Sequence, residues 1–444
     1  MHPLRGALYA ACAALLLTGA ACDSGSPTGQ DQPQQVRLYG SDGNMSNSFG
    51  DEFKDKPGLL AGMKGTAPFT PLAEDFKTRL RAVDPKLKDY LFAAETYDAV
   101  VISTLAAELA GTTEPQQIAR YINGVTTGGQ SCDTVSTCLQ LARARKDLQF
   151  RGVSLQRGGF TDAGEPSTAS YATLHFGRTD RLDDGKMEFV GAGDEATTTK
   201  LKPPAPRGGR DNQTDGSPLK IGGLLPKTGD LAGANPPMIA GALLAVKEVN
   251  AAGGVLGEPV DWVDGDDGTN PAKAKQTVAS HVAAGVHVII GAGASGVTRA
   301  VLPDVVSAGL ILFSPSNTAA DLSKADDRGL YFRTAPSDLL QGKALTDVII
   351  RDGVQKIAIV ARKDAYGEGL QANVKAELEK VGVAGTQILT LTYVPPEEEK
   401  AVLDFTDGAS QIKQFGPDAI LVIGFSESAQ VIKAIAATGL ELRH

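Results

Sequence analysis

Gly291-Ala292-Gly293-Ala294-Ser295-Gly296 has the spacing G-x-G-x-x-G, set between the apolar run Val286–Ile290 and a helix-like stretch from Ser295. That spacing is the phosphate-binding turn of a dinucleotide site when it follows the first strand of a βαβ unit and an acidic residue stands about 20 positions further on. Here it follows a third strand, and the next strand, Leu310–Phe313, leads into Ser314-Pro315-Ser316-Asn317-Thr318 with no carboxylate. What remains is a helix N-terminus with free backbone N–H groups at the carboxyl end of a strand, a seat for a small anion such as a carboxylate. Asp264-Gly265-Asp266-Asp267-Gly268 invites a calcium reading, but its glycine stands one position early for an EF-hand loop and Lys275 occupies the place of the bidentate carboxylate. It reads as an acidic turn. His175, His281 and His287 show no metal-ligand spacing, and no G-x-S-x-G, H-E-x-x-H or G-x-x-x-x-G-K-[ST] motif occurs. No enzyme chemistry, metal or cofactor is therefore expected.

The elements that would position these residues belong to a chain of 444 residues, 42% hydrophobic and 21% charged, with a net charge of −9. This is enough for two globular bodies with cores. The charge and the lack of a Lys/Arg cluster give no reason to expect nucleic acid. At the start, Met1–Arg5 carries positive charge, Gly6–Leu17 is an apolar run too short to span a bilayer, and Thr18–Ala21 places small residues before Cys22. Residues 1–22 resemble a bacterial lipoprotein signal, in which Cys22 would carry the lipid, with 23–34 as a tether. Gly19 departs from that pattern, where leucine is usual, and cleavage after a small-x-small site is the alternative. Export fits the remaining thiols: Cys132 and Cys138, five residues between them, suit a local disulfide.

From Leu219 onward strands and helices alternate, which predicts an α/β fold with doubly wound, parallel-sheet cores. Strands are expected at Lys220–Leu225, Pro259–Val263, Val286–Ile290 and Leu310–Phe313. A helix opened by Pro236-Pro237 is expected to bury Ile239, Ala242, Leu243, Val246 and Val249. A second series runs through strands Lys356–Ala361, Ile388–Tyr393 and Asp418–Ile423, with a helix burying Leu370, Val374, Leu378 and Val381 and further helices at Leu403–Phe415 and Ser428–Ala437. The front half predicts a strand at Val36–Gly40, helices at Leu72–Leu80, Tyr97–Ala110 and Pro115–Ile122, and strands at Gln149–Val153 and Tyr171–Phe176, pieces that make no evident domain alone. Residues 196–218, rich in Pro, Gly and polar side chains, read as a linker.

The stretches IGGLLPKTGDLAG, VNAAGGVLGEPV, IIGAGASG, LFSPSNT, FRTAPSDLLQGKAL and KIAIVARKDAYGEGL together resemble the first two-thirds of a type I periplasmic solute-binding protein of the branched-chain amino acid (Leu/Ile/Val) ABC-transporter receptor family. RLYGSDGN, GMKGTAP, FAAETYDAVV and GEPSTASYATLHF in the front half are similar to the last third of the same family. The resemblance thus implies a circularly permuted order, with two lobes joined by hinges near Gly65–Pro68, Leu148–Val153 and Arg333–Ser337. Lobe 1 would comprise 67–147 and 219–337, and lobe 2 would comprise 35–66, 148–195 and 338–444. The 23 residues of 196–218 would join the ancestral ends, able to reach on the order of 70 Å when extended. Permutation is tolerated at exposed connections. The competing expectation is a rearranged chain whose halves do not assemble.

The resemblance also implies site residues. Ser295 would hold a ligand carboxylate, Ser316 (through its carbonyl) and Thr318 (through its hydroxyl) would add contacts, Asp42 would pair with an ammonium, and Tyr366 and Phe425 would form the wall that closes over the ligand. From the residues alone, Ser295 and Thr318 are equally helix caps, Asp42-Gly43 a turn and Phe425 core. The function implied is an extracytoplasmic receptor for an amino acid or small carboxylate, with an ABC permease in the cytoplasmic membrane and a lipid anchor as partners. The alternatives are a nicotinamide-dependent oxidoreductase using the glycine loop and a sensory lipoprotein without transport.

Overall fold

The computed structural model describes residues 35–206, 217–397 and 401–442, all within one compact unit, Gln35–His444. Cys22, the signal and the tether lie outside the described residues, as does 207–216 of the expected linker. Two mixed layers of helix and sheet make up the body. The smaller sheet has five parallel strands in the order Tyr331–Arg333, Ile311–Ser314, Val288–Gly291, Lys220–Leu224, Asp261–Val263. The main path of the larger sheet runs Ile388–Tyr393, Ile357–Arg362, Ala419–Ile423, Gln35–Gly40, Lys64–Pro68, Thr168–His175, Glu188–Gly193. Its first five strands are parallel, Thr168–His175 runs antiparallel to Lys64–Pro68, and Glu188–Gly193 runs antiparallel to Thr168–His175. Gln35–Gly40, from the front half, therefore lies between Ala419–Ile423 on one side and Lys64–Pro68 on the other. Glu441–Leu442 pairs in parallel beside Gln35 and Val36 rather than end to end with them.

Central strands are buried on both faces, as parallel strands covered by helices must be. Along Ile357–Arg362, Ile357, Ile359 and Ala361 enter one hydrophobic cluster while Ala358 and Val360 enter another, and Ala419–Ile423 divides in the same way. The front half also completes the smaller layer. Helix Ala93–Ala110 is buried along nearly its whole length and packs on helix Asn235–Ala251 and on strands Val288–Gly291 and Ile311–Ser314. Tyr97 donates a hydrogen bond of 2.6 Å to Glu248 across the helix pair. Next to Tyr97 on the same helix, Asp98 accepts from the amides of Val153, Ser154 and Leu155 at 2.9, 2.7 and 3.1 Å, fixing the chain just after strand Leu148–Phe150.

Most expected elements stand within one to three residues of their place, with three informative differences. Helix Asn235–Ala251 buries Met238, Ala242, Leu244, Ala245, Val246 and Val249, whereas Leu243 is exposed and Ile239 only half-buried. A helix held between a sheet and a second helix has a buried face wider than the narrow stripe read from periodicity. Val381 is exposed because the helix ends at Lys380, so the stripe Leu370, Val374, Leu378 stops one member earlier. The described start of the expected linker, 196–206, is fastened to the body: Thr199 donates its amide to Phe160 at 2.8 Å, and the Ala205 carbonyl accepts from the Tyr121 hydroxyl at 2.9 Å. Cys132 and Cys138 lie at disulfide distance, their Cα atoms 5.4 Å apart, between a short strand and helix Val135–Arg143.

The glycine loop is held by packing within the chain. Gly291 has φ 142°, and a Cβ on it would stand 2.0 Å from the Leu224 carbonyl oxygen. A Cβ on Gly296 would meet its nearest neighbour, the Asp364 Cβ, at an ordinary 3.5 Å. Gly291→Ala is expected to cost on the order of 3 kcal/mol or more, through strain and a displaced strand end. Gly296→Ala is expected to leave stability within about 1 kcal/mol of the parent, since alanine suits a helix. Urea unfolding midpoints of the two variants check this, and equal midpoints would refute it.

Candidate functional site

A cavity of about 260 Å³ opens where the carboxyl ends of strands from both sheets meet, and Asp42, Ser295, Ser316, Tyr366 and Phe425 line it. Ser295 is the first residue of helix Ser295–Ser307, and the preceding Ala294 is extended and offers no side-chain cap. The Ser295 hydroxyl oxygen instead accepts from the amides of Thr318 and Ala319, both at 3.2 Å. With both lone pairs engaged, this hydroxyl keeps its proton for donation. Ser295 and Gly296 also carry first-turn amides, which have no acceptor within the helix.

Ser316 donates its hydroxyl to the Gly293 carbonyl at 2.8 Å, so the side chain braces the loop and leaves the backbone carbonyl for any ligand. Thr318 is not part of the cavity lining. It lies buried behind Ser295 with its hydroxyl lacking a full hydrogen-bond partner, while its carbonyl accepts from the Asp338 amide at 2.7 Å. Its placement is explained by the two amides it and Ala319 commit to Ser295.

Asp42 follows strand Gln35–Gly40 by two residues and is 7% exposed. Its Oδ1 accepts from the Tyr366 hydroxyl at 2.8 Å and from the Gln341 amide at 2.7 Å. Burial pushes the Asp42 carboxyl up to about 6, against the pull of these two hydrogen bonds. Asp338 is fully buried, neither of its oxygens has a full hydrogen-bond partner, and the Thr318 hydroxyl gives it only weak support. Its carboxyl is raised well above the ordinary range, first by burial and then by the Asp42 charge. Arg333 opposes this rise only in part, and Asp338 lies behind Asp42 rather than in the cavity lining. Sequence reasoning missed Asp338 because an acid after Ser337 at the start of helix Asp338–Arg351 reads as an ordinary first-turn residue.

Phe425 lines the cavity and is held by two ring contacts. Tyr366 stacks on one face with centroids 5.4 Å apart and planes at 12°, and the Arg362 guanidinium lies 4.0 Å from its centroid. Arg362 is in turn held by Asp364 at 2.6 Å and by Glu427 at 2.7 Å, with Asp230 at 3.8 Å, and Tyr393 donates to Glu427 at 2.8 Å. The Tyr366 hydroxyl also meets the Ser41 hydroxyl at 2.7 Å and accepts from the Gly43 amide at 3.2 Å, which fixes the ring. None of Arg362, Glu427 or Asp230 was legible as a site residue, because their roles depend on pairing between distant segments.

The loop amides do not form a phosphate cradle. Gly293 donates its N–H to Asp267 at 2.7 Å, and Asp267 is fully buried with its carboxyl raised by burial to about 7. The Ala292 carbonyl accepts from Ser314 and Asn317, and the Gly293 carbonyl from Ser316 and Asn317. A pyrophosphate at Gly293 would displace or oppose a carboxylate, whereas the expected close approach of a ligand carboxylate is left to Ser295 and Gly296. In the acidic turn, Asp264 pairs with Lys227, and Asp266 binds Lys273 and Thr228. Among the described residues there is no group of three or more His, Cys, Asp or Glu side chains placed to hold a metal ion.

Comparison with known proteins gives the same direction. The sequence profile of the periplasmic binding protein family matches residues 218–444. The Leu/Ile/Val-binding protein BraC3 of Rhizobium johnstonii is 30% identical over 210 residues, covering 47% of this chain and 54% of that protein. The leucine-, isoleucine-, valine-, threonine-, and alanine-binding protein of Pseudomonas aeruginosa is 32% identical over 166 residues, 37% of this chain and 44% of that protein. Among solved structures, the branched-chain amino acid transporter substrate binding protein LivJ of Streptococcus pneumoniae, in complex with isoleucine, superposes with a TM-score of 0.44 at 26% identity, covering 51% of this chain and 63% of that one. The chain thus spans about half the length of the curated relatives it matches. Because the matching region, 218–444, is just over half of the sequence, the chain belongs to the periplasmic binding protein family.

Proposed function

We propose that this protein is an extracytoplasmic solute receptor of an ABC importer that binds an α-amino acid in the cavity between its two sheets. The observation that carries the reading is the pairing of opposite chemistries in one cavity. The Ser295 hydroxyl and first-turn amides are donors matched to a carboxylate, and buried Asp42, with Asp338 behind it, is an acceptor matched to an ammonium. The Ser316 carbonyl adds a further acceptor, and Tyr366 and Phe425 supply the closing wall. In this reading the front half performs the part of the family's last third, in permuted order. The insertion of Gln35–Gly40 beside Ala419–Ile423, which delivers Asp42 to the cavity, supports that assignment. Hinged lobes with the boundaries given above, a lipid on Cys22 and a permease that reads the closed form complete the proposal.

Isothermal titration of the purified chain with a panel of α-amino acids, and with benzoate as a ligand that has a carboxylate and no ammonium, tests it. At least one amino acid is expected to bind, and Ser295→Ala to weaken it about 10- to 100-fold, the range of a lost charged hydrogen bond. Binding of benzoate with silence from every amino acid would sink the ammonium assignment.

The raised Asp42 carboxyl fixes a pH dependence. A carboxyl raised on folding binds its proton more tightly in the native state, so its contribution favours folding below the unfolded value of 3.8 and is lost as pH climbs through about 6. Ligand-free protein should accordingly lose stability between these pH values, while affinity for an ammonium-bearing ligand rises over the same window as Asp42 ionises. Asp42→Asn should flatten the affinity profile and make the stability profile less steep without flattening it, since Asp267, raised to about 7, contributes its own slope. Calorimetry from pH 4.5 to 7.5 measures this, and a pH-independent affinity in the parent would contradict it.

A further inference from the structure

An amino acid that places its ammonium and carboxylate on Asp42, Ser295 and Ser316 leaves its side chain to the rest of the cavity lining. That remainder includes the apolar Phe49, Leu91, Phe92 and Pro237 together with the polar Ser46, Ser48, Glu52 and Asp89. The charged side chains of the lining are Asp42, Glu52, Asp89, Asp230, Glu427 and Lys433. Lys433 is committed elsewhere, to Asp55 at 2.6 Å with its ammonium 5.4 Å from the centroid of the Phe53 ring. Asp230 and Glu427 share Arg362. Even so, Glu427, 4% exposed, keeps Oε2 without a hydrogen-bond partner.

Glu52 and Asp89 complete the acidic part of the lining. Asp89 accepts through Oδ1 from the amide and the side chain of Asn47, at 3.1 and 2.8 Å, both neutral donors. Among the described residues no ion pair reaches either carboxylate. Burial raises the Asp89 carboxyl, with Arg181 lowering it and Asp184 raising it from a distance. An aliphatic ligand tip would leave half-buried Asp89 and the free Oε2 of buried Glu427 without a matching donor, at a cost, whereas a cationic tip supplies one and gains a further, solvent-exposed acceptor in Glu52.

We infer that the cavity takes a basic amino acid, its apolar stem along Leu91 and Phe92 and its cationic tip among Asp89, Glu52 and Glu427, in preference to leucine, isoleucine or valine. Lysine and arginine have this build, a methylene stem that packs on apolar surface and a charged head that seeks acceptors. The inference rests on the receptor reading above and narrows its ligand class.

Titration of the purified full chain with L-arginine, L-lysine, L-leucine and L-citrulline, the last a neutral counterpart of arginine, provides the test. Arginine or lysine is expected to bind at least tenfold more tightly than leucine and citrulline. Asp89→Asn should reduce the ratio of basic to leucine affinity at least tenfold. Glu52→Gln, at an exposed position without partners and so safe for folding, should reduce it about threefold. Leucine binding as tightly as the basic amino acids, or a ratio unmoved by both variants, would overturn the basic-ligand assignment and leave the receptor standing. Silence from all four ligands, in a protein that unfolds cooperatively, would overturn the assignment and count against the receptor reading as well.

Discussion

The cavity is organised around a carboxylate that has been taken out of water and is met, among the described residues, by neutral donors. Asp42 receives one hydrogen bond from Tyr366 and one from Gln341, and the second buried acid, Asp338, presses on it electrostatically. Burying a charge is costly unless it is paired, and neutral donors compensate only in part. Much of the surrounding structure serves to hold this unfavourable arrangement in place. The Tyr366 ring is pinned by Ser41, Gly43 and the stack on Phe425, and Phe425 is backed by Arg362 with its own retinue of acids.

Opposite that acid, the donors are arranged by the same economy of polar groups. Ser295 spends its lone pairs on the backbone of Thr318 and Ala319 and so can only donate outward. Gly293 spends its amide on Asp267, so the glycine loop is stiffened by a buried carboxylate where a nucleotide site would keep free amides. A single G-x-G-x-x-G spelling is thus compatible with two different uses of the backbone, and the partner of one amide separates them.

Much of the strand and helix order was readable, because each element carries its own period and its own punctuation. Ile388–Tyr393 and Ser428–Ala437 stand where the pattern puts them, and the boundaries of others shift by a few residues as caps and pairing dictate. Burial was less legible where two layers cover one helix, as with Leu243 and Met238. Five expected wall and contact residues reach the cavity, while Thr318 stays behind it, a distinction of depth that spacing along the chain cannot carry. Arg362, Glu427, Asp338 and Asp89 escaped notice for a common reason. Each looks like an ordinary charged residue until segments far away in sequence bury it or supply its partner.

The position of Gln35–Gly40 has a consequence for how the molecule comes into being. This strand is the first described element of the chain, yet it is flanked in the sheet by Ala419–Ile423, among the last. During synthesis the early strand can meet Lys64–Pro68 on one edge soon after it emerges, but its other edge must wait unpaired until nearly all of the remaining chain is available. Contacts so distant in sequence raise the entropy that must be lost before the core can close, and such topologies fold slowly. A chain that cannot finish its central sheet early stays open for longer, a state compatible with passage through a narrow export channel and dependent on protection from aggregation until the last strands arrive.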